Sequence, residues 1–191
     1  MKKILNPLAY YPEKLLLLIN LAFFGVGTFI AIMLRAWFDN TFHLSFRTEV
    51  DALKTFTENS FSVILVALAF FIAGKIFNNK VRLVDCLNLS FYIRIPFYLM
   101  ALSNFNGTLS SMTENSMNKD VLTIKLPTNN LDLSILIISS IISLVIIVFQ
   151  FFTIYKGFKT LSNAKKISHY LIMVLFLILT MILSTILFKY L

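Results

Sequence analysis

The chain has 191 residues, 58% hydrophobic and 14% charged, and its mean hydropathy of +0.83 lies outside the balance of a water-soluble domain. A soluble core is excluded. The net charge of +8 does not point to nucleic acid, because the basic residues flank apolar runs instead of clustering on one polar face.

Residues 1–14 form a short basic segment with Pro7 and Pro12, and Tyr10 and Tyr11 stand where an interfacial aromatic belt belongs. Leu15 to Leu34 then carries no charge, which at 1.5 Å per residue is enough to cross a hydrocarbon core of roughly 30 Å. The first span is placed at 15–38. Lys2 and Lys3 before an apolar run also fit a signal peptide, but the run has full spanning length and no small-x-small pattern follows it. An uncleaved first helix is expected. Residues 39–59, with Asp39, Glu49, Asp51 and Glu58 against Arg47 and Lys54, read as a solvated outer loop. Within it Thr48 and Asp51 resemble a capping box, and Val50, Leu53 and Phe56 recur at helical spacing, which predicts a short interfacial helix.

The second span, 60–77, is uncharged from Ser60 to Gly74, and Lys75 can snorkel to the headgroups. A tight turn over Asn78 to Arg82 leads into the third, 83–102, which contains Asp85, Asn88, Arg94 and Pro96. A re-entrant third segment is the alternative, and it would reverse the last two spans. The outer loop 103–132 is rich in Asn, Ser and Thr, carries the sequon Asn106-Gly107-Thr108, and alternates over Val121–Leu126 as a strand would. Spans four and five, 133–155 and 170–188, flank a basic loop from Lys156 to His169. The fold class is therefore an all-α integral membrane bundle of about five helices, one domain over residues 1–191. With the N-terminus cytoplasmic, ten Lys and Arg fall on the inner side and six on the outer, while Arg94 lies within a span.

Charges in hydrocarbon cost about 2.5–3.5 kcal/mol each on insertion scales, so Asp85 and Arg94 need partners or water. Nine residues apart, they point to opposite sides of a straight helix and cannot pair with each other. Asp85 shares a face with Arg82, Asn88 and Tyr92, and Arg82 is its expected partner near the headgroups. Arg94 sits past the midplane of its helix beside Pro96, which leaves the carbonyl of Tyr92 without its helical donor. Two readings stand for it. Arg94 either snorkels outward or holds the kink together, or it binds an anionic headgroup or an acid of the outer loop, Asp39 being the nearest by topology.

The other polar residues carry less. His43 and His169 fall on opposite sides of the membrane and cannot share a metal, and no Cys or carboxylate cluster has ligand spacing. Cys86, the single cysteine, cannot close an intramolecular disulfide. Gly25-Val26-Gly27 reads as close helix packing, and Ser139, Ser140, Ser143 and Gln150 as interhelical hydrogen bonding. Lys156, Lys159, Lys165 and Lys166 either contact anionic lipid or simply fix orientation.

Several short motifs resemble the Yip family, five-span membrane proteins that interact with Ypt/Rab GTPases, and in particular its bacterial branch. These are Asn6-Pro7, Phe38-Asp39-Asn40 with His43, Gly74-Lys75, Lys80-Val81-Arg82, Arg94-Ile95-Pro96 and Tyr155-Lys156-Gly157-Phe158. The resemblance implies a helical bundle with N-terminus inside and C-terminus outside, a non-enzymatic role in membrane organisation or trafficking, and no catalytic residues. It departs from the eukaryotic members in having only 14 residues before the first span, so GTPase binding is not transferred. The functional expectation is a multi-pass protein of a bacterial cytoplasmic membrane that binds lipid, a partner membrane protein or its own copies, with no nucleic acid, metal or cofactor. A transporter accessory subunit or small oligomeric channel is the alternative, and an intramembrane enzyme has no supporting His/Glu motif or paired aspartates.

Overall fold

The structure, a computed structural model, describes residues 2–117 and 130–190. The strand reading at Val121–Leu126 lies outside the described residues. In chain order the elements are α1 (Lys2–Leu5), α2 (Glu13–Met33), β1 (Ala36–Asn40), β2 (His43–Phe46), α3 (Ala52–Phe77), α4 (Leu83–Ala101), α5 (Thr108–Met117), α6 (Asn130–Ser162) and α7 (Ile167–Leu187). Helices α2, α3, α4, α6 and α7 are each long and apolar enough to cross a membrane. They alternate in direction, so one end of the bundle carries the β1–β2 hairpin and the other the lysine-rich turns.

The first span ends at Met33 and not at residue 38. Arg35 adopts a left-handed backbone (φ 57°), which stops the helix, and the apolar residues after it take a period of two. Ala36 and Phe38 are fully buried and Trp37 between them is half-buried. An apolar run that continues past a helix end therefore belongs here to a strand. β1 and β2 pair antiparallel, Ala36 opposite Phe46 and Asn40 opposite His43, with an irregularity between Trp37 and Asn40.

Residues 39–59 are not a solvated loop either. The hairpin packs into the end of the bundle, where the Thr41 amide donates to Ser184 Oγ (3.2 Å) and Asn40 Nδ2 to Thr185 Oγ1 (2.8 Å) on α7. The expected interfacial helix is the first turns of α3, a single helix of 26 residues. Its cap is Asp51 itself, not Thr48: the Asp51 carboxylate accepts from the amides of Leu53 (2.8 Å) and Lys54 (3.1 Å), two donors a helix start leaves unpaired. Asp51→Ala is expected to cost about 1 kcal/mol and Asp51→Ser much less, read as thermal midpoints in detergent.

The third span is one unbroken helix, α4, running straight through Pro96. It is the central helix, packed against α2, α3 and α6. Of its apolar window 56% is buried inside the protein, against 17% for α6 and 22% for α7. That difference explains its composition, because a helix screened from lipid by its neighbours can carry polar groups that a lipid-facing helix cannot.

The fourth span lengthens at both ends, and the fifth begins three residues earlier than expected. α6 begins at Asn130 and extends to Ser162, so Lys156 and Lys159 lie on its last turns, and only Asn163–Lys166 link it to α7. Asn163 takes the left-handed conformation that such a reversal needs (φ 52°). Although consecutive, α6 and α7 diverge: α6 packs on α4 and α7 on α3. One large apolar cluster, including Phe70, Leu89, Phe158 and Met173, fills the half of the bundle near the lysine-rich end. A smaller one around Phe38, Phe97 and Tyr98 lies under the hairpin.

Candidate functional site

At the lysine-rich end, Arg82 forms a two-pronged pair with Asp85, Nε to Oδ2 at 2.9 Å and Nη2 to Oδ1 at 2.8 Å. Glu13 at the start of α2 takes its third prong at 2.7 Å. Below them Asn20 Nδ2 donates to both the carbonyl and Oδ1 of Asn88 (3.0 and 3.1 Å), and Tyr92 Oη donates to the carbonyl of Ile4 (2.7 Å). The face that Arg82, Asp85, Asn88 and Tyr92 share thus meets α2 and the N-terminal segment. Sequence reasoning missed Glu13 and Asn20, although seven residues apart they share one face of α2.

Near the other end the structure assembles a polar layer from five elements. Thr28, Asn59, Arg94 and Thr180 all lie roughly 8–10 Å from the hairpin-side ends of their helices. Arg94 is 3% exposed. Its Nε donates to Asn59 Oδ1 (2.7 Å), its Nη1 donates to the carbonyl of Thr41 in the hairpin turn, and its guanidinium carbon lies 4.5 Å from the ring centroid of Phe38 and 5.1 Å from that of Phe97. Asn59 then donates through Nδ2 to Thr28 Oγ1 (2.7 Å) and Tyr98 Oη (2.9 Å).

Neither sequence reading of Arg94 describes this arrangement. The side chain does not snorkel outward, and the Tyr92 carbonyl is not its partner. Asp39 is not its acid: that carboxylate pairs with His43 at 2.7 Å. Arg94 instead ties α3, α4 and the hairpin together through uncharged acceptors. Arg94 Nη2 has no hydrogen-bond partner among the described residues, nor has Ser62 Oγ, and both residues border a void of about 10 Å³. Near Pro96, Gln150 Nε2 of α6 donates to the carbonyl of Ile93 (3.2 Å), the interhelical bond expected of that glutamine. The serines of α6 behave otherwise. Ser139 and Ser140 return to the carbonyl of Leu136 and Ser143 to that of Ser139, so their bonds are within the helix and not between helices.

Beside the layer, Trp37 Nε1 donates to Glu58 Oε2 and Arg47 stacks on the Trp37 ring. Sequence reading assigned Glu58 to a solvated loop, yet its side chain is fully buried. On the hairpin surface, the hydrogen bond that His43 Nδ1 donates to Asp39 holds the imidazole above its ordinary pKa of 6.5, outweighing the opposing effect of partial burial. A raised folded-state value means this contribution to stability is full below about pH 6.5 and is lost as pH rises through the folded pKa. Thermal midpoints measured from pH 5.5 to 8 should therefore fall less steeply in His43→Gln than in the parent chain.

The divergence of α6 and α7 leaves a lateral cleft of about 600 Å³. Its floor is Phe42 of the hairpin with Gln150, Ile154, Met173 and Leu177, and the last four are nearly fully buried. Its walls, Phe151 on α6 and Val174 and Ile178 on α7, are exposed. Tyr155 and Tyr170 stack across its mouth with ring centroids 4.8 Å apart. Lys156, Lys159, Lys165 and Lys166 cluster at that same end, the last three exposed. Elsewhere His169 stacks on Phe77 (4.0 Å), and among the described residues no group of three His, Cys, Asp or Glu is placed to hold a metal ion.

These features define an all-α bundle of five transmembrane helices with a polar layer under a hairpin cap. The chain matches no protein-family model, and no curated protein or solved structure matches it either.

Proposed function

We propose that this chain is a non-enzymatic multi-pass protein of the Yip type, in the cytoplasmic membrane of a bacterium, that acts in membrane organisation by binding lipid or a partner membrane protein. The observation that carries this reading is the cleft between α6 and α7, whose largely apolar floor is bordered by exposed apolar walls among the described residues. Exposed walls over such a floor offer contact area to an apolar ligand within the bilayer. The bias of ten basic residues against six supports an N-terminus on the cytoplasmic side. A reporter fused after Leu191 should then be active only outside the cytoplasm, and cytoplasmic activity would reverse the orientation.

Purification of the full chain in mild detergent, with mass spectrometry of what travels with it, tests the binding role. A stoichiometric lipid or protein companion is expected. A chain recovered alone and delipidated, and equally stable, would overturn the reading.

Transport is the second reading, and the free Nη2 of Arg94 is what favours it, since buried ionised groups line solute paths. Against it, the other donors of that guanidinium are engaged by the hairpin and Asn59, and the adjoining void is small. Solute flux in proteoliposomes that vanishes in Arg94→Ala would favour transport over the binding role.

A further inference from the structure

We propose that the α6–α7 cleft holds one acyl chain of an anionic glycerophospholipid, with the headgroup phosphate gathered by Lys159, Lys165 and Lys166 at the turn joining the two helices. The inference rests on the lipid-binding reading above and specifies its ligand.

The dimensions select the occupant. From Tyr170 to Met181 along α7 the cleft runs roughly 16 Å, and from Tyr155 to Ile147 along α6 roughly 12 Å. One leaflet of a hydrocarbon core is about 15 Å deep. The cleft is therefore about as long as one leaflet is deep, with the stacked tyrosines at its lysine-rich end and Phe42 at the other. A partner's transmembrane helix, 10–12 Å across with its side chains, has about twice the volume of the 600 Å³ cleft over that length and would lie over the cleft without filling it. A single alkyl chain is thinner and flexible, and its contacts would be with the buried apolar floor. The one polar floor group, Gln150, is already engaged with the Ile93 carbonyl and makes no demand on the ligand.

Charge selects the headgroup. No Asp or Glu occurs after Asp132, so the segment that builds both walls of the cleft has lysines and no acid of its own. None of the four lysines at this end is in an ion pair among the described residues. Lys159 lies one turn beyond Tyr155 on the same side of α6, and Lys165 and Lys166 precede Tyr170 by about one turn on the α7 side. The two tyrosines mark headgroup depth, where amphipathic rings settle. A phosphate there meets several uncompensated ammonium groups within one turn of the alkyl slot.

The test uses native mass spectrometry of the purified full chain in detergent, titrated with phosphatidylglycerol, with phosphatidylcholine of the same acyl chains, and with palmitate. One phosphatidylglycerol should be retained in preference to phosphatidylcholine. Lys159→Gln, Lys165→Gln and Lys166→Gln together should erase that preference, each substitution weakening it by about fivefold. Val174→Trp and Ile178→Trp, which fill the slot from exposed wall positions and spare the core, should abolish retention while the thermal midpoint stays within a degree or two.

Phosphatidylglycerol retained equally by the tryptophan variants would place the lipid elsewhere and overturn the cleft assignment, leaving the binding role intact. Equal retention of phosphatidylcholine would overturn the headgroup assignment. Palmitate displacing phosphatidylglycerol one for one would make the ligand a free fatty acid and overturn the proposal. Recovery of neither lipid nor protein companion would overturn the binding role itself.

Discussion

Replacing Arg94 with methionine is expected to destabilise the bundle by about 2–4 kcal/mol, a fall of roughly 5–10 °C in the thermal midpoint for a chain of this size. The sign needs argument, because swapping a buried ionic group for an apolar one of similar volume is often neutral. Here only one side of each bond is removed. Asn59 Oδ1 and the carbonyl of Thr41 stay buried and lose their donor, and each unsatisfied acceptor costs about 1–3 kcal/mol. Relief of the guanidinium's own desolvation offsets part of that total, and polar contacts inside membranes average less than those in water. Arg94→Lys should not rescue. A lysine's three donors sit on one nitrogen, without the separated planar donors that reach α3 and the hairpin in fixed directions, and it loses the stack on Phe38 and Phe97. Midpoints by fluorescence-detected gel filtration in one detergent are the measurement; a parent-like midpoint for Arg94→Met would remove the structural role assigned to the layer.

Two glycines two residues apart should respond in opposite directions. Gly27 faces the ring of Tyr98, and a methyl group on it would overlap that ring, whereas Gly25 has open space where its methyl would go. Tyr98 cannot swing aside freely. Its hydroxyl accepts from Asn59, and its ring meets Phe38 edge-on at 6.0 Å. Gly27→Ala is therefore expected to cost about 1–3 kcal/mol through overpacking, with about 1 kcal/mol more if the Asn59 bond breaks. Gly25→Ala should be neutral or gain up to about 1 kcal/mol, since alanine is the better helix former and meets nothing. Truncating the ring in Gly27→Ala/Tyr98→Leu should recover part of the loss relative to the sum of the single changes. Additive single effects would show that the two side chains do not meet.

The pair of glycines also marks the limit of what a pattern can carry. Gly25-Val26-Gly27 reads as close packing, and the sequence has no means of saying which glycine packs, because both fit the helix and only the position of α4 distinguishes them. The same holds for the polar residues. The Arg82–Asp85 pair was legible because it is local, three residues apart on one helix face. Arg94's partners were not, since Thr41 is 53 residues away and Asn59 is 35, and Asn59 fell outside the second span as drawn from hydropathy. An acid was the natural expectation for an arginine at that depth, and the outer segment offered Asp39. The fold supplies instead a backbone carbonyl from a strand turn and a side-chain amide, which hydrogen-bond a guanidinium without contributing charge.

Hydropathy and charge by themselves determined that this chain crosses a bilayer about five times, because the number of apolar residues needed to span hydrocarbon is a property of the solvent and needs no knowledge of neighbours. They also marked the third span as exceptional. Only the tertiary structure decided why: α4 is surrounded by other helices, so its arginine, asparagine and proline never meet lipid. It alone showed that Trp37 and Phe38 turn back into a hairpin that seals the bundle, and that α6 and α7 part to leave a lateral cleft. The packing of the hairpin on α7, and of α6 and α7 on different helices, depends on contacts between residues far apart in the chain, and such contacts leave no periodic trace in the sequence.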